Sequence, residues 1–135
     1  MVQRSLPAEE PSGCNSGSKV LEAAVAAWRH AGRAPIVVKS ETSRFLATIG
    51  LPADHRVEVL IEDEVDDIFL ERLAEPDSVI GKMRRPTSGE SDLCLVLPLK
   101  LMGRAHDIFH GQGLDLQAWW RYTDGSVVFG TVEKA

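Results

Sequence analysis

The strongest constraint on the fold lies near the C-terminus. Two runs of strand-forming residues, 114–122 and 127–132, flank Thr-Asp-Gly-Ser, and Asp124-Gly125 is a dipeptide suited to a two-residue hairpin turn. A chain carrying this signal contains an antiparallel pair, and such a pair needs further elements over its apolar face. In the two-residue register Trp120 faces Phe129 and Tyr122 faces Val127, which sends these aromatics into the core. Neighbouring residues of a strand point to opposite faces, so Trp119 and Arg121 turn the other way. Trp119 must then be covered by a helix, by the N-terminal arm or by a partner.

Upstream, hydrophobic spacing marks the remaining elements. Leu21, Ala24, Val25, Trp28 and Ala31 recur at helical intervals after Ser18, a suitable N-cap, and Gly32 is a natural stop. Residues 35–38 read as a short buried strand. Ser40 is suited to cap a second short helix that buries Phe45, Leu46 and Ile49 and ends at Gly50. Val57, Val59 and Ile61 alternate with Glu58 and Glu62, the pattern of a strand with one wet face. Asp63 then opens a third helix with Val65, Ile68, Phe69 and Leu73 inward, bounded by Pro76, and 86–91 has loop composition. Leu93, Leu95, Leu97, Leu99 and Leu101 share one side of an extended segment. Pro98 has no N–H for a ladder, which makes this strand an edge or breaks it with a bulge.

Residues 1–17, rich in Pro, Ser, Gly and Glu, carry no hydrophobic period and read as a mobile arm before a single domain at 18–135. The expected fold class is α+β: a mostly antiparallel sheet of four to five strands packed by two or three helices. It ends in a C-terminal β-hairpin, with the 21–31 and 65–73 helices on one face.

At 135 residues and 44% hydrophobic content the chain has the size and composition of one core-forming domain. Its formal charge of −5 argues against a general binder of nucleic acid or anionic membranes. No stretch resembles a secretory signal or a spanning helix, so a cytoplasmic location is expected. Cys14 and Cys94 have unlike surroundings and no metal-ligand spacing. Cys94, in an apolar run, reads as an inert buried thiol and Cys14 as an exposed one.

His106-Asp-Ile-Phe-His110 is the string closest to a catalytic motif. On a helix, His at i and i+4 share a face, and a neighbouring carboxylate can polarise a metal-bound water. The segment resembles the His-Glu-x-x-His motif of zinc proteases, and Gly113 falls where the longer metzincin pattern has its glycine. The resemblance covers about eight residues. It implies zinc held by His106 and His110 with Asp107 as base. Asp107 is one methylene shorter than the glutamate of that motif, and Leu116 stands at the third-ligand position. The alternative is a short connector whose histidines bracket Ile108 and Phe109. Neither a nucleophile elbow nor a phosphate loop appears.

Charge placement offers another candidate. Between Glu62 and Asp77 eight acids stand against Arg72 alone, and Asp67, Glu71 and Glu75 fall at i, i+4 and i+8. Like charges so spaced weaken a helix by a few tenths of a kcal/mol per pair. Either they form a solvated face or they dock a basic partner. Lys82, Arg84 and Arg85 follow closely and are expected to offset them.

The leading expectation is therefore a non-catalytic interaction or regulatory protein, of adaptor, inhibitor or immunity type, without a cofactor. It binds a protein partner through Asp67, Glu71 and Glu75, through Trp119 and Arg121, or through both sets. The alternatives are a zinc-dependent hydrolase using His106, His110 and Asp107, and a small-ligand binder with a pocket floored by Trp120, Tyr122 and Phe129.

Overall fold

A computed structural model describes residues 16–40, 45–78, 80–81 and 93–135. The fold is α+β. Six strands form one sheet in chain order: β1 (Ile36–Lys39), β2 (Leu46–Leu51), β3 (Arg56–Ile61), β4 (Leu93–Pro98), β5 (Asp115–Arg121) and β6 (Val127–Lys134). Among the described residues three α-helices are complete: α1 (Ser16–His30), α2 (Asp67–Leu73) and α3 (Met102–Phe109). The arm expected over 1–17 lies outside the described residues up to residue 15, and α1 begins at Ser16. The loop at 86–91, the cations Lys82, Arg84 and Arg85, and Cys14 also lie outside them.

The sheet is mixed, which corrects the mostly antiparallel expectation. β1–β2, β2–β3 and β5–β6 are antiparallel, whereas β3–β4 and β4–β5 are parallel. Parallel neighbours require a crossover, and the segments after β3 and β4 provide one each, carrying α2 and α3. Two successive crossovers advancing the same way with the same hand leave their helices on one face of the sheet. α2 and α3 therefore share a front face. Leu70, Leu73, Ala105 and Phe109 pack there on Val59, Ile61, Leu93, Leu95, Leu97 and Leu116.

α1 packs on the back, where Val20 and Ala24 meet Ile49, Leu60, Cys94, Val96 and Trp119. The expectation that the first and third predicted helices share a face is thus wrong. Val20 is fully buried although the helical spacing singled out Leu21, and Ala31 is exposed. Burying a Leu or Ile fully contributes about 1.5–3 kcal/mol, so a sheet covered on both sides suffices to hold the fold.

Double coverage explains three further departures. Residues 46–51 form a central strand instead of the helix read from Phe45, Leu46 and Ile49. Leu46 and Ala47 are both buried because each face has a helix layer or a neighbour above it. Six residues with Leu46, Ala47, Ile49 and Leu51 apolar are too few to separate a strand from a helix by period. The side of β3 expected to be wet is instead covered by α1, so Glu58 is buried under Trp28; Glu62, just past the strand, is buried too. β4 is central, with Pro98 as its last residue, where the missing N–H costs nothing. Leu99 and Leu101 leave the strand in a 3-10 turn (Leu99–Leu101).

The C-terminal hairpin is present, with a different turn. Tyr122 N donates to Ser126 O and Gly125 N to Tyr122 O, both at 2.9 Å, leaving Thr123, Asp124 and Gly125 as a three-residue loop. Gly125 has φ of 90°, the left-handed residue that closes a loop of this kind. Asp124 Oδ1 accepts from Ser126 N at 2.9 Å, holding the turn. One extra loop residue moves the register by one, so Trp119 opposes Phe129 and Trp120 opposes Val128. A register irregularity between Gln117 and Trp119 absorbs the shift further along.

Candidate functional site

That one-residue change moves Phe129 from the side of Trp120 to the side of Trp119. Trp119, for which a helix, the arm or a partner was expected as cover, is covered by a helix: it packs with Val20 and Ala24 of α1 on the back face, 4% exposed, and its Nε1 donates to Ile61 O at 2.8 Å. The Arg121 guanidinium lies over its ring, 5.0 Å from the centroid. A molecule approaching here meets Arg121 before the indole. Trp120 packs on the front-face core, Phe129 on the back, and Tyr122 is exposed. The three rings expected to floor a ligand pocket therefore share no face.

The histidines part company for a local reason. α3 ends at Phe109, and His110 has φ −53° and ψ 129°, outside the helix. The i, i+4 relation of a metal-binding helix is therefore not formed. His106 instead reaches β6, with Nε2 2.8 Å from Glu133 Oε1, while Asp107 is exposed. Among the described residues no three His, Cys, Asp or Glu side chains gather in a way that could hold a metal ion. Phe109 is fully buried and Ile108 packs beside it, as in the connector reading.

The acidic segment folds differently from the helix read at Asp63. Asp66 is the N-cap, accepting from Phe69 N at 2.9 Å, so the helix starts one turn later, at Asp67. It closes at Leu73, which leaves Glu75 in the turn beyond and off the i, i+4, i+8 stripe. Leu70 and Leu73 face inward. Ile68, expected inward, is 59% exposed.

Asp67 and Glu71 do lie together, joined by a residue that charge counting along one helix did not find. Arg104 of α3 contacts Asp67 Oδ2 through Nε and Glu71 Oε2 through a terminal nitrogen, each at 3.2 Å. Lys100 approaches Glu64 at 3.3 Å. Exposed pairs of this kind stabilise by no more than about 1 kcal/mol. Their effect is geometric: one guanidinium between two carboxylates fixes the outer faces of α2 and α3 together. From Asp63 to Asp77 seven acids meet Arg72, Lys100 and Arg104, leaving a local charge of −4.

A second polar group, inside the back face, escaped the sequence reading altogether. Glu58 accepts from Trp28 Nε1 at 2.9 Å, with Arg56 Nε 3.6 Å from its other oxygen. That Arg56 nitrogen is buried and has no hydrogen-bond partner among the described residues. Glu58 pairs in register with Cys94, and Cys94 with Asp115. Burial pushes the Cys94 thiol up to about 12, against the pull of Arg56, so it stays protonated and unreactive. Glu62, 1% exposed, is met by Lys39 Nζ at 2.6 Å.

Comparison with known proteins finds no matching family model, no matching curated protein and no matching solved structure. No described helix is long and apolar enough to cross a membrane.

Proposed function

We propose that the protein is a non-catalytic interaction module, of adaptor, inhibitor or immunity type, that binds a basic protein partner across the joined outer faces of α2 and α3. The supporting observation is Ile68. A large aliphatic side chain stands 59% exposed beside Asp67, in a patch that keeps a net negative charge after its internal ion pairs are counted. An apolar anchor ringed by charge is the arrangement in which burial supplies affinity and charge supplies orientation and encounter rate. Arg104 holds Asp67 and Glu71 in place beforehand, which lowers the ordering cost on binding. Glu75, in the following turn, extends the acidic rim.

The test is affinity capture from the native cell with three forms of the full chain: wild type, Ile68→Lys, and Asp67→Asn/Glu71→Gln/Glu75→Gln. One protein retained by wild type, weakened at least tenfold by Ile68→Lys and released by salt from wild type alone, is the expected result. An identical set of captured proteins on all three forms rejects this surface.

A further inference from the structure

We propose that the back face holds a binding site for a short linear peptide with free ends. The peptide lies between α1 and β1, its amino group on Glu22 and its carboxylate on Arg29. The way α1 packs creates the space. Val20 and Ala24 press on Ile49, Leu60, Cys94, Val96 and Trp119, so α1 lies over the middle of the sheet. Among the described residues β1 pairs only with β2, and it extends beyond this cover. Val37 stands opposite Ile49 in the ladder and shares its face, yet Val37 is 37% exposed where Ile49 is fully buried. Between helix and edge strand an open groove of about 640 Å³ remains, within the roughly 300–1,000 Å³ of small-ligand sites.

The lining of the groove says what it accepts. Leu21, Val25 and Ala26 of α1 and Val37 of β1 are apolar, while Glu22, Arg29 and His30 supply the polar groups. Seven residues make almost two full turns, so Glu22 and Arg29 fall on the same side of α1, about 10 Å apart along its axis. Val25 and Ala26 lie between them in sequence and along the helix. Neither Glu22 nor Arg29 has an ion-pair partner among the described residues. The groove therefore presents an acid at one end, a base at the other and an aliphatic wall between.

An occupant complementary to this lining carries a cation and an anion about 10 Å apart on an apolar body. An amphiphile with one charge satisfies one end and leaves the other without compensation. A tripeptide of aliphatic residues satisfies both. Its amino and carboxyl groups are both ionised near pH 6.5, and three extended residues span about 10 Å. It runs in the direction of α1, with its side chains against Leu21, Val25, Ala26 and Val37 and with His30 at the carboxylate end. Burial of the aliphatic side chains supplies affinity, and the two end charges fix length and direction.

Backbone amide shifts of the full chain at pH 6.5, titrated with leucyl-alanyl-leucine, test this. Saturable shifts are expected at Glu22, Val25, Arg29 and Val37. Blocking either end of the peptide, by N-acetylation or by C-amidation, leaves the protein unchanged and is expected to weaken binding about threefold. Acetylation should make no difference to Glu22→Gln, and amidation none to Arg29→Gln, because each variant has already lost the charge that the blocked end would meet. Absence of saturable shifts at these amides overturns the proposal. So does a doubly blocked peptide that binds as well as the free one. Shifts of the same amides with protein concentration alone overturn it too, since a second copy would then fill the groove. Ile68 is on another surface, so Ile68→Lys keeps peptide binding, and failure here is read separately from failure of partner capture.

Discussion

The indole Nε1 of Trp28 donates to Glu58 Oε1 at 2.9 Å, linking α1 to a carboxylate buried under it in the sheet. A buried acceptor stripped of one donor loses the compensation for its desolvation. Trp28→Phe is therefore expected to cost about 1–3 kcal/mol in urea denaturation. Removing the polar group as well, in Trp28→Phe/Glu58→Met, should return most of that loss. A double variant less stable than Trp28→Phe by a full extra increment would show that Glu58 is held chiefly by Arg56.

Lys39 stands in the same relation to Glu62, but its ammonium end is half exposed. Lys39→Met leaves a carboxylate with almost no access to water. The expected loss is about 2 kcal/mol, discounted from the 3–5 kcal/mol of a fully buried pair because solvent already screens the lysine. Lys39→Arg, which keeps the charge, should lose less than half as much by the same measurement.

Cys94 gives a pH prediction with a defined sign. In the unfolded chain the thiol releases its proton near 9.0, whereas in the fold it holds it to about 12. Between these values the folded state binds the extra proton, so stability from this group is full below pH 9 and falls as pH rises towards 12. Wild type should lose stability more steeply than Cys94→Ala over that window. In a Cys14→Ser background, thiol labelling at pH 8 should proceed at the rate of global unfolding. Rapid labelling of the native chain would place Cys94 within reach of solvent.

The hairpin turn depends on Gly125 at φ 90°, a conformation that disfavours any Cβ. Gly125→Ala should lower stability by about 1–2 kcal/mol, and Gly125→Asn by less. The hydrogen bonds from Ser126 hold the Asp124 carboxyl below its ordinary pKa. The turn is therefore tightest above the unfolded value and loosens as pH falls through the depressed one. Backbone amide shifts at Ser126 in an acid titration follow this directly.

Gly81 lies against the backbone of Glu75 and Pro76, where an added methyl would overlap their carbonyls. Its N–H also donates to Ser78 Oγ at 2.9 Å. Gly81→Ala is expected to cost about 1–3 kcal/mol by overpacking, read as a lowered thermal midpoint. An unchanged midpoint would mean the chain after α2 can shift away freely.

Local pattern determined much of this protein. The α1 helix, the strand at 57–61 (though not its wet face), the start of the β4 run and the positions of the last two strands follow from periods of 3.6 and 2, because side-chain direction along one element is fixed by its own backbone. The inert character expected of Cys94 followed from its apolar neighbours. Of the candidate site, the acids at 67 and 71 were legible, as was the short span of the His106–His110 segment.

What the sequence could not settle was which faces meet. The strand at 46–51 has buried residues on both sides, so Leu46, Ala47, Ile49 and Leu51 carried no clear period to separate it from a helix. Parallel pairing of β3, β4 and β5 depends on crossovers whose hand appears only in three dimensions, and that hand sent α1 to the opposite face from α2. A single additional loop residue at Asp124-Gly125 moved Phe129 from opposite Trp120 to opposite Trp119, since a period of two converts any slip of one strand into a change of its side. Arg104, Lys39 and Trp28 became partners of acids only when residues 23 to 37 positions apart were brought together. Those pairings are settled by packing of the whole chain, because no stretch of sequence shorter than the domain contains both halves of them.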